Sequence, residues 1–211
     1  MTQTIPDNKK SLIVDLYRNK KYSIKEISDY LKVSVDATTF FFRKQNIQRR
    51  TQKEAQYEKF LKKTPSFKKN ILKNADLKTL SIIGIMLYWA EGFKGNDSST
   101  YQAVDFTNSD PNMIKIFLKF LRSTYSLNES KLRILLYCYS DQNVTDLVRF
   151  WSKTTLIPQS QFSKPYVKSN FNKDGNKMKH GMVHVRYSDK KLLLDIKSMI
   201  EFYVKKYAPV G

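Results

Sequence analysis

Arg43, Arg49 and Arg50 stand close together in the first quarter of a chain of 211 residues. A planar guanidinium fork matches a phosphate or the acceptor edge of guanine. Thr39 and Phe40 lie one helical turn before Arg43, and both can pack on a thymine methyl. Other chemistries find little footing. His180 and His184 are four apart, but Gly181 between them makes a shared helix face improbable, and no HExxH pattern occurs. They read as loop and strand residues rather than a zinc pair. Cys138 is the only cysteine, which excludes an internal disulfide framework and a cysteine-rich zinc site. It reads as core. There is no Gly-rich phosphate loop and no nucleophile elbow.

The charge points the same way as the arginines. Lys plus Arg total 38 against 19 Asp plus Glu, a net charge of +19. Residues 1–75 carry 18 basic and 7 acidic side chains, and residues 76–211 carry 20 and 12, so no single tail holds the surplus. A polyanion offsets such a field, because each neutralised phosphate releases a condensed counterion. The 30 Lys to 8 Arg also suit AT-rich coding, but that bias does not explain the shortage of acids. No long basic amphipathic helix with a clean apolar face suggests a membrane surface. The longest nearly apolar run, residues 80–90, is about half the ~20 residues of a membrane-spanning helix. The first ten residues lack an apolar signal-peptide core. The expectation is a cytoplasmic, intracellular protein of prokaryotic type with no membrane partner. At 41% hydrophobic and 13% aromatic, the chain has material for a packed core.

Residues 9–47 read as three short helices. Leu12, Ile13, Leu16 and Tyr17 recur at helical spacing. Ser23 and Glu26 form a capping box, and Ile24, Ile27, Tyr30 and Leu31 make the apolar stripe of the second helix. A turn over residues 32–34 ends on Ser34, which caps a third helix over 35–45. Asn46 suits the left-handed exit. The stretch SIKEISDYLKVSVDATTFFFRKQNI resembles a helix-turn-helix, whose second helix enters the major groove. Ile27, Leu31, Val33, Phe42 and Ile47 should be buried. Val35, Asp36, Thr39, Phe40 and Arg43 should face outward. Ser34, Asp36, Thr39, Phe40 and Arg43 are the expected DNA contacts, with Arg49 and Arg50 on backbone phosphates. One of Phe40 and Phe41 is expected to pack against the connector. Residues 48–75 read as that connector, basic and helical, broken in two by Pro65.

Beyond residue 76 helices and strands alternate. Helices are expected over 77–90, 111–125, 143–156 and 190–206, and strands over 101–107, 131–139, 166–170 and 182–187, with a polar loop over 170–181. Period two puts Leu132, Ile134, Leu136 and Cys138 on one face and Arg133, Leu135, Tyr137 and Tyr139 on the other. It likewise separates Val183, Val185 and Tyr187 from Met182, His184 and Arg186. Arg133, Tyr137, Lys168, His184 and Arg186 would line a DNA groove. Asp105 fits DNA badly unless it reads a cytosine amine or helps hold a metal.

The segment SIIGIMLYWAEGFKG ends an apolar helix with an acid and a glycine. From Gly84 to Gly92 it resembles the LAGLIDADG motif of homing endonucleases, and the helix and strand order over roughly 76–206 is similar to that family. The sequence also resembles small proteins that join a helix-turn-helix to a LAGLIDADG-like domain. The resemblance implies an α+β chain: an all-α helix-turn-helix domain over 1–50, the connector over 51–75, and a LAGLIDADG-like domain with a curved antiparallel sheet over 76–211. The family has two strands directly after the motif, so one should lie in or near residues 95–102. Glu91 matches the motif acid that binds the metal over the scissile phosphate. Two copies of it could hold Mg²⁺ at a dimer seam. Lys190 stands near the family's assisting base, with Lys191 equally placed. A single motif implies a homodimer through the 77–91 helix and a roughly palindromic duplex site. Met86 and Trp89 are bulky where the family uses smaller residues. The implied functions are a Mg²⁺-dependent DNA endonuclease or, alternatively, a non-catalytic DNA-binding regulator with a degenerate domain. RNA binding through exposed aromatics is a weaker third.

Overall fold

Short polar caps decide where the N-terminal helices begin. The computed structural model describes residues 4–95, 102–169 and 178–209. The chain divides into two compact units, Met1–Thr64 and Pro65–Gly211. In the first, α1 (Lys10–Val14) widens into a π-helical turn at Asp15–Asn19. The Ser23 hydroxyl accepts from the Glu26 N–H at 3.1 Å, and the Glu26 carboxylate accepts from the Ser23 N–H at 2.7 Å, opening α2 (Ile24–Leu31). Ser34 accepts from the Ala37 N–H at 3.0 Å and opens α3 (Val35–Lys44). Lys32 and Asn46 take left-handed conformations after these helices. The Ile47 N–H then donates to the Phe42 carbonyl and returns the chain to the core.

That core holds Ile13, Leu16, Tyr17, Ile27, Phe41, Phe42 and Ile47. Leu31 and Val33, expected inside, are half-buried. Tyr30 is 56% exposed, contrary to the expected stripe. The buried side of α2 runs through Ile24, Ile27, Ser28 and Leu31, and Tyr30 falls off its edge. A second capping box, Thr51 with Glu54, starts α4 (Gln52–Lys62), which buries no residue of its own.

The second helical piece expected in the connector is absent. Pro65 is followed instead by the strand β1 (Phe67–Lys69). Its residue Phe67 turns from the polar connector to meet the Tyr125 ring edge-on at 5.4 Å. The chain continues through α5 (Ala75–Glu91), β2 (Val104–Asn108), α6 (Pro111–Thr124), β3 (Tyr125–Leu127), β4 (Leu132–Tyr139), α7 (Val144–Thr155), β5 (Tyr166–Lys168), β6 (Met182–Tyr187) and α8 (Lys190–Tyr207). The expected strand start at Tyr101, the further strand expected between Gly95 and Gln102, the strand end at Asn170 and most of the polar loop lie outside the described residues.

β1 and β3 pair antiparallel, and the main sheet runs β2-β6-β4-β5. β6 is antiparallel to both neighbours. The expected antiparallel sheet is nonetheless mixed, because β5 runs parallel to β4. α7 lies between those two strands in the chain, and a helical crossover returns the backbone in its original direction. α5 packs on α6 and α8, and all three touch β2. Val104, Phe106, Ile134, Leu136, Val183 and Val185 form the sheet's contribution to one core with Tyr88, Phe117 and Ile196. Among the described residues no helix is long and apolar enough to cross a membrane.

Candidate nucleic-acid interface

In the N-terminal unit, Asp36, Phe40 and Arg43 recur at i, i+4 and i+7, and all three are exposed on α3. Phe40 is 60% exposed, whereas Phe41 is 2% exposed and belongs to the core. Val35 is exposed and Thr39 half-buried. The Ser34 hydroxyl is occupied as the helix cap. Arg49 is exposed and lines a cleft of about 920 Å³ with Lys21, Lys25, Lys59 and Lys62, tempered by Glu26 and Glu58. Lys62 sits 2.8 Å from Glu26 across that cleft. Its hydrogen bond, with that from the Ser23 backbone, pulls the Glu26 carboxyl down to about 2.

Arg50 is placed differently from its neighbour. Its guanidinium donates to the carbonyls of Tyr22, at 3.0 Å, and Tyr17. It also lies 4.1 Å from the Tyr17 ring centroid, while its backbone N–H donates to the Tyr17 hydroxyl at 2.7 Å. Both terminal nitrogens are therefore engaged inside the unit. The sequence read Arg50 as a phosphate contact, since charge alone does not reveal two carbonyls awaiting a donor.

In the second unit, the sheet face opposite the core carries the other expected residues. Register brings Arg133 opposite Arg186, Leu135 opposite His184, and Tyr137 beside both Met182 and Tyr166. The Tyr137 ring lies 4.9 Å from the His184 ring and 5.0 Å from the Tyr166 ring. Lys168 and Tyr166 are exposed on β5. The Arg133 guanidinium donates to the carbonyls of Ser130 and Leu132 at 2.6 and 2.7 Å. Like charges at Arg133 and Arg186 are separated in role, because Arg186 Nε donates instead to Asp105 Oδ2 at 2.8 Å. His184 Nδ1 lies 2.8 Å from Asp105 Oδ1 and 2.9 Å from Thr107 Oγ1. Asp105 thus joins both expected basic residues of β6. Alternation alone could have put the acid on this face. Its partners lie 79 and 81 residues away and depend on the register of β2 against β6, which no local pattern encodes.

The end of α5 is stapled to the same strand. The Phe93 N–H donates to the Asp105 carbonyl at 2.8 Å, and Gly92 bridges to Phe106. The Tyr88 hydroxyl donates to the Phe93 carbonyl at 2.6 Å. A Cβ on Gly92 would overlap the Tyr88 ring, so only glycine permits this exit. Glu91, just before it, is exposed. On α5, Ile82, Ile83 and Trp89 are exposed and Met86 is half-buried, at spacings that set them on one side of the helix; exposed Phe93 follows its end. Lys190 opens α8 and is exposed. The buried Asp189 caps that helix. Burial pushes its carboxyl up, but hydrogen bonds from Ser66, Lys191 and Leu192 outweigh this and hold it below the ordinary range.

Among the described residues no three His, Cys, Asp or Glu side chains converge as a metal-binding group. Asp105 has an oxygen on each of two partners, so its carboxylate is committed. One exposed carboxylate, Glu91, suits Mg²⁺ only as half of a site completed by a second copy and a phosphate. Comparison with protein families, with curated proteins and with solved structures finds no match.

Proposed function

We propose that this chain is a sequence-specific double-stranded DNA-binding protein that works as a homodimer. In this reading α2 and α3 act as a helix-turn-helix, with Asp36, Thr39, Phe40 and Arg43 at base edges and Arg49 at phosphate. The unit from Pro65 onward acts as a LAGLIDADG-like domain whose outer sheet face follows the groove. The observation that carries the reading is that sheet. One face holds the core, and the other gathers Arg133, Tyr137, Tyr166, Lys168, His184 and Arg186. The aromatic rings and cations there match the π faces, base edges and phosphates of a duplex. The exposed apolar stripe of α5 supplies the dimer contact, which brings two Glu91 carboxylates to one seam.

The reaction proposed for that seam is Mg²⁺-dependent phosphodiester hydrolysis. Glu91 from each copy would hold the ion, and Lys190 would stand by as the basic partner. The ion, when bound, supplies charge neutralisation at the phosphate and a more acidic water. A non-catalytic regulator is the second reading. It is favoured by the one carboxylate, Glu91, that each copy would bring to the seam and by the engagement of Asp105 with His184 and Arg186.

Selection from a random duplex library gives the site, and incubating that duplex with Mg²⁺ and then with EDTA separates the readings. Metal-dependent double-strand cuts abolished by Glu91→Gln identify the nuclease. Specific binding without cuts identifies the regulator. No enrichment of any sequence overturns both.

A further inference from the structure

Asp105 is 5% exposed although it stands on the outer face of the sheet. An acid held that deeply needs partners, or its desolvation is left uncompensated. It has two, each at 2.8 Å: Arg186 Nε on Oδ2 and His184 Nδ1 on Oδ1. Arg186 supplies the countercharge, so the carboxylate is ionised and has no proton to give. The hydrogen between Asp105 and His184 must therefore sit on Nδ1. Thr107 Oγ1, 2.9 Å from the same nitrogen, braces that edge of the ring. Tyr137 lies along the ring face at 4.9 Å. The opposite nitrogen, Nε2, is not among the buried side-chain atoms left without a partner, and no bond to it is formed within the described residues. On a neutral ring with its proton on Nδ1 this nitrogen is an acceptor, and the side chain is 18% exposed.

We infer that Asp105 is a positioning residue that fixes His184 with Nε2 outward, and that this acceptor selects bases bearing an exocyclic amine. The inference rests on the proposed reading of the outer sheet face as a DNA surface. In the major groove the amine donors are adenine N6 and cytosine N4, whereas guanine and thymine present acceptors there. A lone pair from a ring that already donates on its other side is set against guanine O6 and thymine O4, and toward the amines. Asp105 then contacts no base itself.

The first test needs no DNA. Nitrogen-15 NMR of the wild-type imidazole at pH 8 should report the proton on Nδ1. Asp105→Asn keeps the shape but can donate its amide N–H to Nδ1, so the proton should shift toward Nε2. A wild-type proton on Nε2 overturns the inference. The second test uses the selected duplex, with amines deleted one at a time: purine replaces adenine, and pyrimidin-2-one replaces cytosine. Wild type should lose about 2- to 10-fold in affinity at one base position per half-site, and which analogue does so tells adenine from cytosine. His184→Ala should be indifferent to that deletion. Asp105→Asn should follow His184→Ala at that position. Equal sensitivity of wild type and His184→Ala at every position overturns the inference while leaving DNA binding intact. Failure of wild type to enrich any sequence overturns the DNA reading itself.

Discussion

Gly84 faces Phe120: a Cβ built on this glycine would overlap the phenylalanine side chain. The glycine of α5 therefore serves the approach of α6 within one chain, and the solvent side of α5 is left to larger residues. Gly84→Val should force the two helices apart and cost about 1–3 kcal/mol of folding stability, as overpacking of a tight core does. Denaturant unfolding of the variant measures it. An unchanged midpoint would show that α6 yields without cost.

The other side of α5 carries Ile82, Ile83 and Trp89 in the open. If this stripe joins two copies, the paired substitutions Ile82→Lys and Trp89→Lys place charges at its centre and should convert dimer to monomer. Sedimentation velocity should show the change with the unfolding midpoint moved by about 1 kcal/mol or less, as for exposed positions. A wild-type chain that sediments as a monomer at every concentration would show that the stripe joins no second copy.

Arg43 and Arg50 should separate cleanly. Arg50 holds two carbonyls and the Tyr17 ring, so Arg50→Lys should destabilise the N-terminal unit by about 1.5–3 kcal/mol, because an ammonium lacks the fork. Thermal unfolding by circular dichroism reads this. Arg43→Ala should leave unfolding unchanged and weaken specific binding by about 1–3 kcal/mol. Reversed results would exchange the two roles.

Acid should loosen the contact between α2 and α4. Glu26 has its carboxyl lowered to about 2 by Lys62 and the Ser23 backbone. A group depressed on folding contributes stability that is complete above its unfolded value, near 4.5. That contribution is lost as pH falls through the folded value. Both partners are exposed, so the effect is bounded at about 1 kcal/mol. Unfolding midpoints at pH 7 and pH 3 should differ less in Glu26→Gln than in wild type. An equal difference would assign the acid loss to other carboxylates, Asp189 first among them.

Local signals carried most of the fold. The boxes at Ser23 and Thr51 and the cap at Ser34 are written in adjacent residues, and the alternation of β4 and β6 reproduces the buried set residue by residue. What failed depended on partners distant in sequence. Phe67 forms a strand because Tyr125 is there to meet it, and β5 is parallel because α7 crosses over. Arg50 is drawn inward by carbonyls that any sequence possesses. The candidate site divides likewise. His184 and Arg186 were legible from residue type and period, whereas the acid that couples them needed the register of β2 against β6.

Duplex DNA held through its phosphates and base edges, as proposed above, requires an affinity that depends steeply on salt. The most direct test is the affinity of the intact wild-type chain for its selected duplex, titrated from about 50 to 200 mM salt. Log affinity should fall linearly and steeply with log salt, losing about 10³–10⁵ if six to ten phosphates are neutralised. A flat dependence, or equal affinity for the selected and scrambled duplexes, would contradict the proposed binding.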